Sequence, residues 1–537
     1  MTRFDISPVP ALTWPDRYGT DPGLTLEEVV RPHGEKATVS FLNGSSYGAS
    51  VTYDELARRI ATAANRLRAN GVRAGDPVAM TLTNDLPAVV AALGIWAAGG
   101  TLVSVPPPPR KGQQLHAQRF GAVLTAMDCR HYLTSDTPNA ATEKMHRVPI
   151  VALQGDDDSR DPEPAIPDHA LVQFTSGSLG TPKGVAISAR AFAGHIKMIS
   201  RCFDLDPTHD KVATWLPLYH DLGFVCFFGS ALYSRTAQVH ADPRAFVLDP
   251  SSWMRMLADE QATITGAPNF GFRLAARVPY PCDLDLSRVR CCLNAAERVI
   301  WSDIEDFHRV TGPLGFRWEA LQPAYGLAEG TVGVSCTVRG RGPTVSPDGH
   351  VSLGPPLPGN RYTIVGDETP GTLHLDGDWL FDGYWTESGF QPRPAGPYDT
   401  GDAAFERDGH VYVIGRHADV ASIGGHNVFA EDVEAVALGV GSESLLGAAA
   451  YKYSSATEGE RFALVLEVSP RNRDEAAQLA KTVRGAVADA VNTRVSPLLV
   501  VQRGVIPRTT SGKPQRRALR EAIHAGEIPA RRIFAEL

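Results

Sequence analysis

Ten consecutive residues, Thr175-Ser176-Gly177-Ser178-Leu179-Gly180-Thr181-Pro182-Lys183-Gly184, concentrate what an anion needs from a protein. Glycines without Cβ let backbone N–H groups converge, hydroxyls add donors, and a lysine brings charge. The expected guest is a polyphosphate. The order is not the pattern in which Gly-Lys-Ser/Thr opens a helix, and by composition alone an ordinary surface turn fits equally well. A second cationic loop, Thr509-Thr510-Ser511-Gly512-Lys513, ends 330 residues after Lys183. It reads either as a solvated turn or as a second cation for the same anion. His220-Asp221 lies in a mostly apolar stretch, Trp215 to Phe224, where a half-buried histidine held by a neighbouring acid is the plain reading.

These residues need elements to hold them. Ala170 to Phe174 reads as a buried strand leading into the glycine-rich loop, and β character returns at Val185-Ala186-Ile187. Upstream, Thr52 with Glu55 forms a capping box for a helix that Asn70-Gly71 stops. Ala88 to Val105 is eighteen residues without a charge, close to the length of a membrane span. Gly99-Gly100 interrupts it and Pro106 to Pro109 end it, so a buried helix, Leu86 to Ala98, turning into a short strand fits better. Ser188 caps a helix from Ala189 to Cys202, and strands alternate with helices as far as Val310. That alternation predicts layers around a largely parallel sheet. Residues 1 to about 45 carry few periodic signals and predict an irregular lead-in. Signals are weak again from 106 to 168.

After Gly359 the pattern changes to short strands broken by Gly, Pro and Asp turns, a small β-rich subdomain. Beyond Gly415 the chain has an α/β pattern of its own, long enough for an independent domain. The class is therefore α/β, with the units divided at 1–417 and 418–537.

Composition excludes several functions. The 537 residues are 43% hydrophobic and 21% charged, as in soluble globular proteins. A net charge of −8 and a pI near 6.1 argue against nucleic acid as a partner. Seven scattered cysteines with no Cys-x-x-Cys give no metal site and fit a reducing cytoplasm. The first residues contain no continuous apolar run, so no signal peptide is expected.

The order of the motifs resembles the adenylate-forming superfamily, from about residue 50 to the end. Trp215 to Gly223, Ala267 to Phe270, Asn294 to Glu297 and Gly315 to Ala320 are similar to its fatty acyl-AMP ligase branch, alongside Tyr325-Gly326-Leu327-Ala328-Glu329. The resemblance implies a large adenylation domain and a small mobile α+β domain turning about a hinge. A carboxylate would attack the α-phosphorus of ATP, giving acyl-AMP and pyrophosphate, and a thiol would then take the acyl group. It further implies that Thr175, Ser176, Gly177, Ser178, Gly180, Thr181 and Lys183 hold phosphates. Asn294, Ala295, Ala296, Tyr325, Gly326 and Leu327 would enclose adenine. Glu329 would bind Mg²⁺, Asp402 and Arg416 would bind ribose, His220 would gate the acid, and Lys513 would stabilise the α-phosphate.

Two features depart from that pattern. Ala418 occupies the hinge position, which is usually polar. Only 24 residues separate Glu329 from Gly354, too few for the insertion that restrains rotation in the ligase branch. With Gly425 where synthetases keep a glycine beside the pantetheine tunnel, this favours CoA as acceptor; a carrier protein or second enzyme is the alternative. A sensor that has lost catalysis is more distant, because both lysine loops, Glu329 and Asp402 are present. Leu218, Phe224, Phe228, Ala267, Phe270 and Ala295 are expected to line a pocket for a hydrophobic carboxylic acid.

Overall fold

Two eight-stranded sheets form the large part of a computed structural model that describes residues 29, 34, 36–43, 46–107, 113–134, 145–154, 167–175, 182–366, 369–423, 426–442, 444–455, 459–469, 473–491, 495–509 and 513–536. In spatial order the first sheet runs Ser335–Cys336, Leu321–Tyr325, Cys291–Asn294, Ile264–Ala267, Lys211–Thr214, Ala237–Ala241, Thr38–Asn43 and Ser46–Thr52. Its inner strands are parallel and both edge pairs antiparallel. The second runs Gly389–Pro392, Gly383–Thr386, Lys183–Ser188, His169–Thr175, Thr101–Ser104, Pro77–Met80, His131–Thr134 and His146–Pro149. It is parallel from His169–Thr175 onward and antiparallel before it.

The helix Leu86–Ala98 forms as its sequence predicts. Asp85 accepts the Ala88 N–H at 2.9 Å, Gly99 ends the helix at φ 93°, and every residue but Pro87 is buried. Trp96 ties it to the second sheet by donating to the Ala170 carbonyl at 2.6 Å. The helix Tyr53–Ala69 buries Leu56, Ile60, Ala63, Ala64 and Leu67, the face its apolar spacing gives. Only half of the capping box closes: Thr52 accepts the Glu55 N–H at 3.2 Å, while the Glu55 carboxylate turns to Arg59. One apolar core runs through both sheets and the helices Leu86–Ala98 and Ala189–Phe203.

The lead-in and the weak stretch need correction. Thr38–Asn43 is a strand pairing in parallel with Ala237–Ala241, and 113–149 holds the helix Gln113–Ala126 and two four-residue strands. Such short strands are made by distant partners and leave little periodicity of their own.

The β-rich subdomain is an antiparallel sheet of Asn360–Val365, Gly371–Gly377, Tyr398–Arg407 and His410–Arg416. Beyond it, the hairpin Val420–Ile423 and His426–Phe429 leads to the helix Ala430–Gly439 and a four-stranded sheet. In that sheet alternate residues pack on opposite faces, Ala448 and Ala450 in one core, Ala449 and Tyr451 in the other. Among the described residues, no helix is long and apolar enough to cross a membrane.

Candidate active site

The carboxyl ends of parallel strands are where open α/β sheets bind ligands, and the candidate residues gather there. Lys211–Thr214 leads to His220, Ile264–Ala267 to Asn269, Cys291–Asn294 to Ala295–Glu297, and Leu321–Tyr325 to Glu329. A cavity of ≈ 1960 Å³ is lined by Lys183, His220, Ala295, Ala296, Tyr325, Gly326, Leu327, Glu329, Asp402, Arg416 and Lys513.

At one end, Asp402 is fixed on both oxygens. Tyr325 donates its phenol to Oδ2 at 2.5 Å, and Arg416 Nε lies 3.1 Å from Oδ1. Asp402 and Arg416 face each other across antiparallel strands, so register alone brings them together. Burial and the Asp402 carboxylate hold the Tyr325 phenol well above its ordinary pKa, so it stays a donor. Gly326 admits no side chain, since a Cβ there would lie 1.7 Å from the Val332 carbonyl oxygen.

Glu329 sits on a short helical turn followed by a strained residue. Thr331 has φ 67° and ψ −50°, and Val332 N–H donates to the Gly330 carbonyl at 2.8 Å, a γ-turn centred on Thr331. The Thr331 hydroxyl pays for that geometry with a 2.6 Å bond to the Trp379 carbonyl. Tyr384 donates to Glu329 Oε1 at 2.7 Å and contacts the Tyr398 hydroxyl at 2.8 Å. Burial, then the Glu329 charge, pushes both phenols up, which keeps them protonated. Lys183 Nζ stands 4.9 Å from the Tyr384 ring centroid. Thr175 pairs directly with Lys183 across an antiparallel hairpin, so both ends of the glycine-rich loop are pinned. Ser176, Gly177, Ser178, Gly180 and Thr181 lie outside the described residues, as does Gly425.

Among the described residues no three His, Cys, Asp or Glu side chains gather as a metal cage. Glu329, a hard carboxylate on the cavity wall, suits Mg²⁺, which takes one or two carboxylates and completes its shell with water and phosphate oxygen.

His220 Nδ1 lies 2.7 Å from Asp221 Oδ1, which also accepts the Leu222 N–H at 2.7 Å. Burial raises the Asp221 pKa, but His220, that N–H and the charge of Lys513 outweigh it and hold the carboxyl below its usual range. The loop is held from outside by Asn84, which accepts the Leu218 N–H and donates to the Leu216 and Ala241 carbonyls. Lys513 reaches the same region. It is open to the water of the cavity but crowded by protein, and that desolvation, then Arg416, pulls its ammonium pKa down against Asp221, Asp402 and Glu297. Three residues on, Arg516 pairs with Asp419 at 2.7 Å, Glu431 at 2.8 Å and Glu434 at 2.8 Å, fastening the lysine loop to the turn His417–Asp419.

Asn294 departs from the adenine-enclosing role. Its side chain is fully buried, donates to Asn269 Oδ1 at 3.2 Å and does not line the cavity. A strand residue next to Ala295 must point to the other face. Ala296 turns the chain with φ 70°. Asn269 binds the two segments together, accepting also from Ile300 N–H.

The pocket walls differ from the expected ones. Phe270 and Ala295 line the cavity, but Leu218, Phe224, Phe228 and Ala267 do not. Phe224 and Phe228 stack on each other inside the core, and the π-helix Leu222–Gly229 presents Leu222 and Cys226 to the cavity instead. Ile199, Cys202, Phe203, Leu293 and Cys336 complete an apolar wall. Burial pushes the Cys202, Cys226 and Cys336 thiols well up, so they remain neutral.

Sequence reasoning met Asn269 only as part of the motif Ala267 to Phe270 and missed Asn84, Thr331 and Tyr384. Only Tyr384 left a signal, an aromatic in the alternating Gly-Tyr-Trp that pairs beside the lysine strand.

Comparison with known proteins gives the family. The AMP-binding enzyme family matches residues 26–385. The chain belongs to that family, and it is a ligase of the kind that forms acyl adenylates. It is 30% identical to the provisionally named ligase Rv1013 of Mycobacterium tuberculosis, over 87% of this chain and 93% of that protein. The medium-chain-fatty-acid–[acyl-carrier-protein] ligase JamA of Moorena producens is 29% identical over 93% and 94%. Among solved structures, a fatty acyl-adenylate ligase from work on the Escherichia coli and Legionella pneumophila enzymes superposes with a TM-score of 0.83, covering 94% of this chain and 99% of that one at 23% identity. The family uses ATP.

Proposed function

We propose that this enzyme joins a hydrophobic carboxylic acid to AMP and then passes the acyl group to a thiol. The carrying observation is that Lys513, from the small unit, shares one cavity with Asp402, Glu329 and His220. The acid's oxygen forms a bond to the α-phosphorus while the bond to the bridging oxygen of pyrophosphate breaks. No side chain need be a nucleophile, so the residues position and neutralise. Asp402, held by Tyr325 and Arg416, keeps acceptor capacity for ribose hydroxyls; Ala295, Ala296, Gly326 and Leu327 border the base. Lys183 and the loop it closes serve the β- and γ-phosphates. Mg²⁺ on Glu329 would neutralise phosphate charge. Lys513 stabilises the charge that builds at the α-phosphate, and His220, steadied by Asp221, borders the acid. The unit boundary is placed between His417 and Ala418, in a short helical turn beside the cavity.

CoA is the first acceptor to test, supported by the short span from Glu329 to Gly354 beside the small unit. A carrier protein is the second reading, favoured by JamA, whose name specifies that acceptor. A cytoplasmic location goes with either, supported by the reduced cysteines. Incubation with ATP, Mg²⁺, a panel of fatty and aryl acids and CoA, followed by mass analysis, tests the reading. Acyl-AMP followed by acyl-CoA is expected. Acyl-AMP that converts only when a carrier protein is added moves the acceptor, and no acyl-AMP from any acid refutes the function.

A further inference from the structure

Lys513 belongs to a unit whose apolar cores are separate from those of the rest of the chain, so its seat in the cavity depends on what fixes the two units. Helix Ala430–Gly439 and its sheet pack into their own clusters. Among the described residues, the apolar cluster bridging the units is small: Ala403 and Ile414 on one side and Phe429 on the other, with Phe405 and Val420 against them. That cluster sits at the hinge and acts as a pivot. Apolar contact is non-directional, so a pivot of this size permits many angles.

Two polar contacts away from the pivot choose one. Arg298 Nη1 lies 2.6 Å from Asp432 Oδ1, with side chains 21% and 24% exposed. Arg277 Nη1 donates to the Leu445 carbonyl at 3.0 Å. Both arginines come from the large unit and both acceptors from the small one. Arg298 directly follows Glu297, at the cavity wall, and its other nitrogen, Nη2, donates to His350 Nδ1 at 3.4 Å, which fixes its direction. Asp432 lies in the first turn of its helix, where a carboxylate is favoured by the helix dipole. Its partner across the gap is therefore a prepared anion rather than a chance surface charge.

We propose that the Arg298–Asp432 pair, seconded by Arg277, is a latch that holds the small unit at the angle where Lys513 enters the cavity, before any substrate is bound. Arg298 and Asp432 are positioning residues acting through Lys513. The latch rests on the proposed role of Lys513 in adenylation. It also predicts an order of events: adenylation needs the latch closed, whereas delivery to a thiol that must approach from the small unit's side is helped when it opens.

Distance measurement tests the latch without relying on activity. Cys282 is exposed while the other six cysteines are buried. Spin labels at Cys282 and at Lys481→Cys, on the exposed face of the helix Arg473–Val491, report the angle by pulsed electron paramagnetic resonance in the ligand-free full chain. The expected result is one narrow distance, broadened or doubled by Asp432→Asn and by Arg298→Ala, and narrowed again in the Arg298→Asp/Asp432→Arg double variant. Acyl-AMP formation should fall about 10-fold in Asp432→Asn and recover in the charge swap, with the KM for the acid little changed. A wild-type-like narrow distribution in both single variants, or a broad one in the parent, overturns the latch. Absence of acyl-AMP from the parent enzyme with every acid would instead refute the functional reading and leave the distance result standing.

Discussion

The two ends of the cavity are built on opposite principles. Around Asp402 every group is charged or hydrogen-bonded: Tyr325 on one oxygen, Arg416 on the other, and Lys513 nearby. At the far end, Cys202, Cys226, Cys336, Leu293 and Phe203 offer neutral, close-packed walls. An invariant guest is met by preorganised polar groups, whose misplacement leaves buried charges unpaired and costs much. A variable guest is met by shape, where each methylene is worth about 1–3 kcal/mol. The first end should therefore fail sharply when altered, and the second should change its preference.

The largest break should come at Lys513. Lys513→Ala should lower acyl-AMP formation by roughly 10²–10³-fold, the cost of one preorganised transition-state donor, while leaving thioester formation from supplied acyl-AMP nearly intact. Equal loss in both half-reactions would count against a lysine used only for adenylation. Because desolvation and Arg416 pull the Lys513 pKa down, activity should fall on the basic side earlier than a free lysine's pKa of about 10.4 would dictate. Lys513→Arg should move that limb upward, since a guanidinium keeps its proton.

Asp402→Asn comes next. It leaves Arg416 without its counter-charge and removes an ionised acceptor, and should raise the KM for ATP by roughly 30-fold or more, as loss of a buried charged partner worth about 2–5 kcal/mol can do. Tyr325→Phe should cost about 10-fold in the same constant. Neither should alter which acid is preferred, and a change in acid preference would blur the contrast between the ends.

Cys336→Phe sharpens the contrast from the other side. Filling the apolar wall should shift preference toward shorter acids by about 10-fold in relative kcat/KM, about 1.4 kcal/mol, with the KM for ATP unchanged. Competition assays between acids of two lengths read this directly.

The contrast also explains what the sequence could convey. Residues proposed to meet the invariant guest cluster in short contiguous motifs, so Tyr325, Glu329, Asp402 and Lys513 could be picked out before the structure brought them to one cavity. The helix Leu86–Ala98 was legible too, since its cap and stop are local. The acid wall was not. Leu222 and Cys226 face the cavity while Phe224 and Phe228 turn into the core, and a run that is apolar on every side does not reveal which face is which. Asn84 was equally hidden, since it acts through backbone groups more than 130 residues away and its own neighbours give no hint of them. Thr38–Asn43 pairs both with the neighbouring Ser46–Thr52 and with the distant Ala237–Ala241, and the second partner left no mark in the local sequence.

The smallest expected effect lies in the small unit. Burial pushes the Glu431 pKa up to about 7, despite Arg516. A carboxyl with a raised folded-state pKa contributes stability that is present below its unfolded pKa of about 4.3 and lost as pH rises through the folded value. Glu431→Gln should therefore flatten the decline in Tm between pH 5 and pH 8 by about 2–4 °C. An unchanged decline would mean that Arg516 keeps Glu431 ionised throughout.

The proposed activity is acyl-adenylate formation in a cavity that takes an apolar acid at one end and a nucleotide at the other. Pyrophosphate exchange into ATP, measured with an acid series of increasing chain length and with single-ring aryl acids, tests this most directly. The account predicts Mg²⁺-dependent exchange that peaks at one class of apolar acid, disappears without acid, and falls by two to three orders of magnitude, roughly, in Lys513→Ala. Exchange that is absent with every acid despite ATP binding, or that is unaffected by Lys513→Ala, would contradict it.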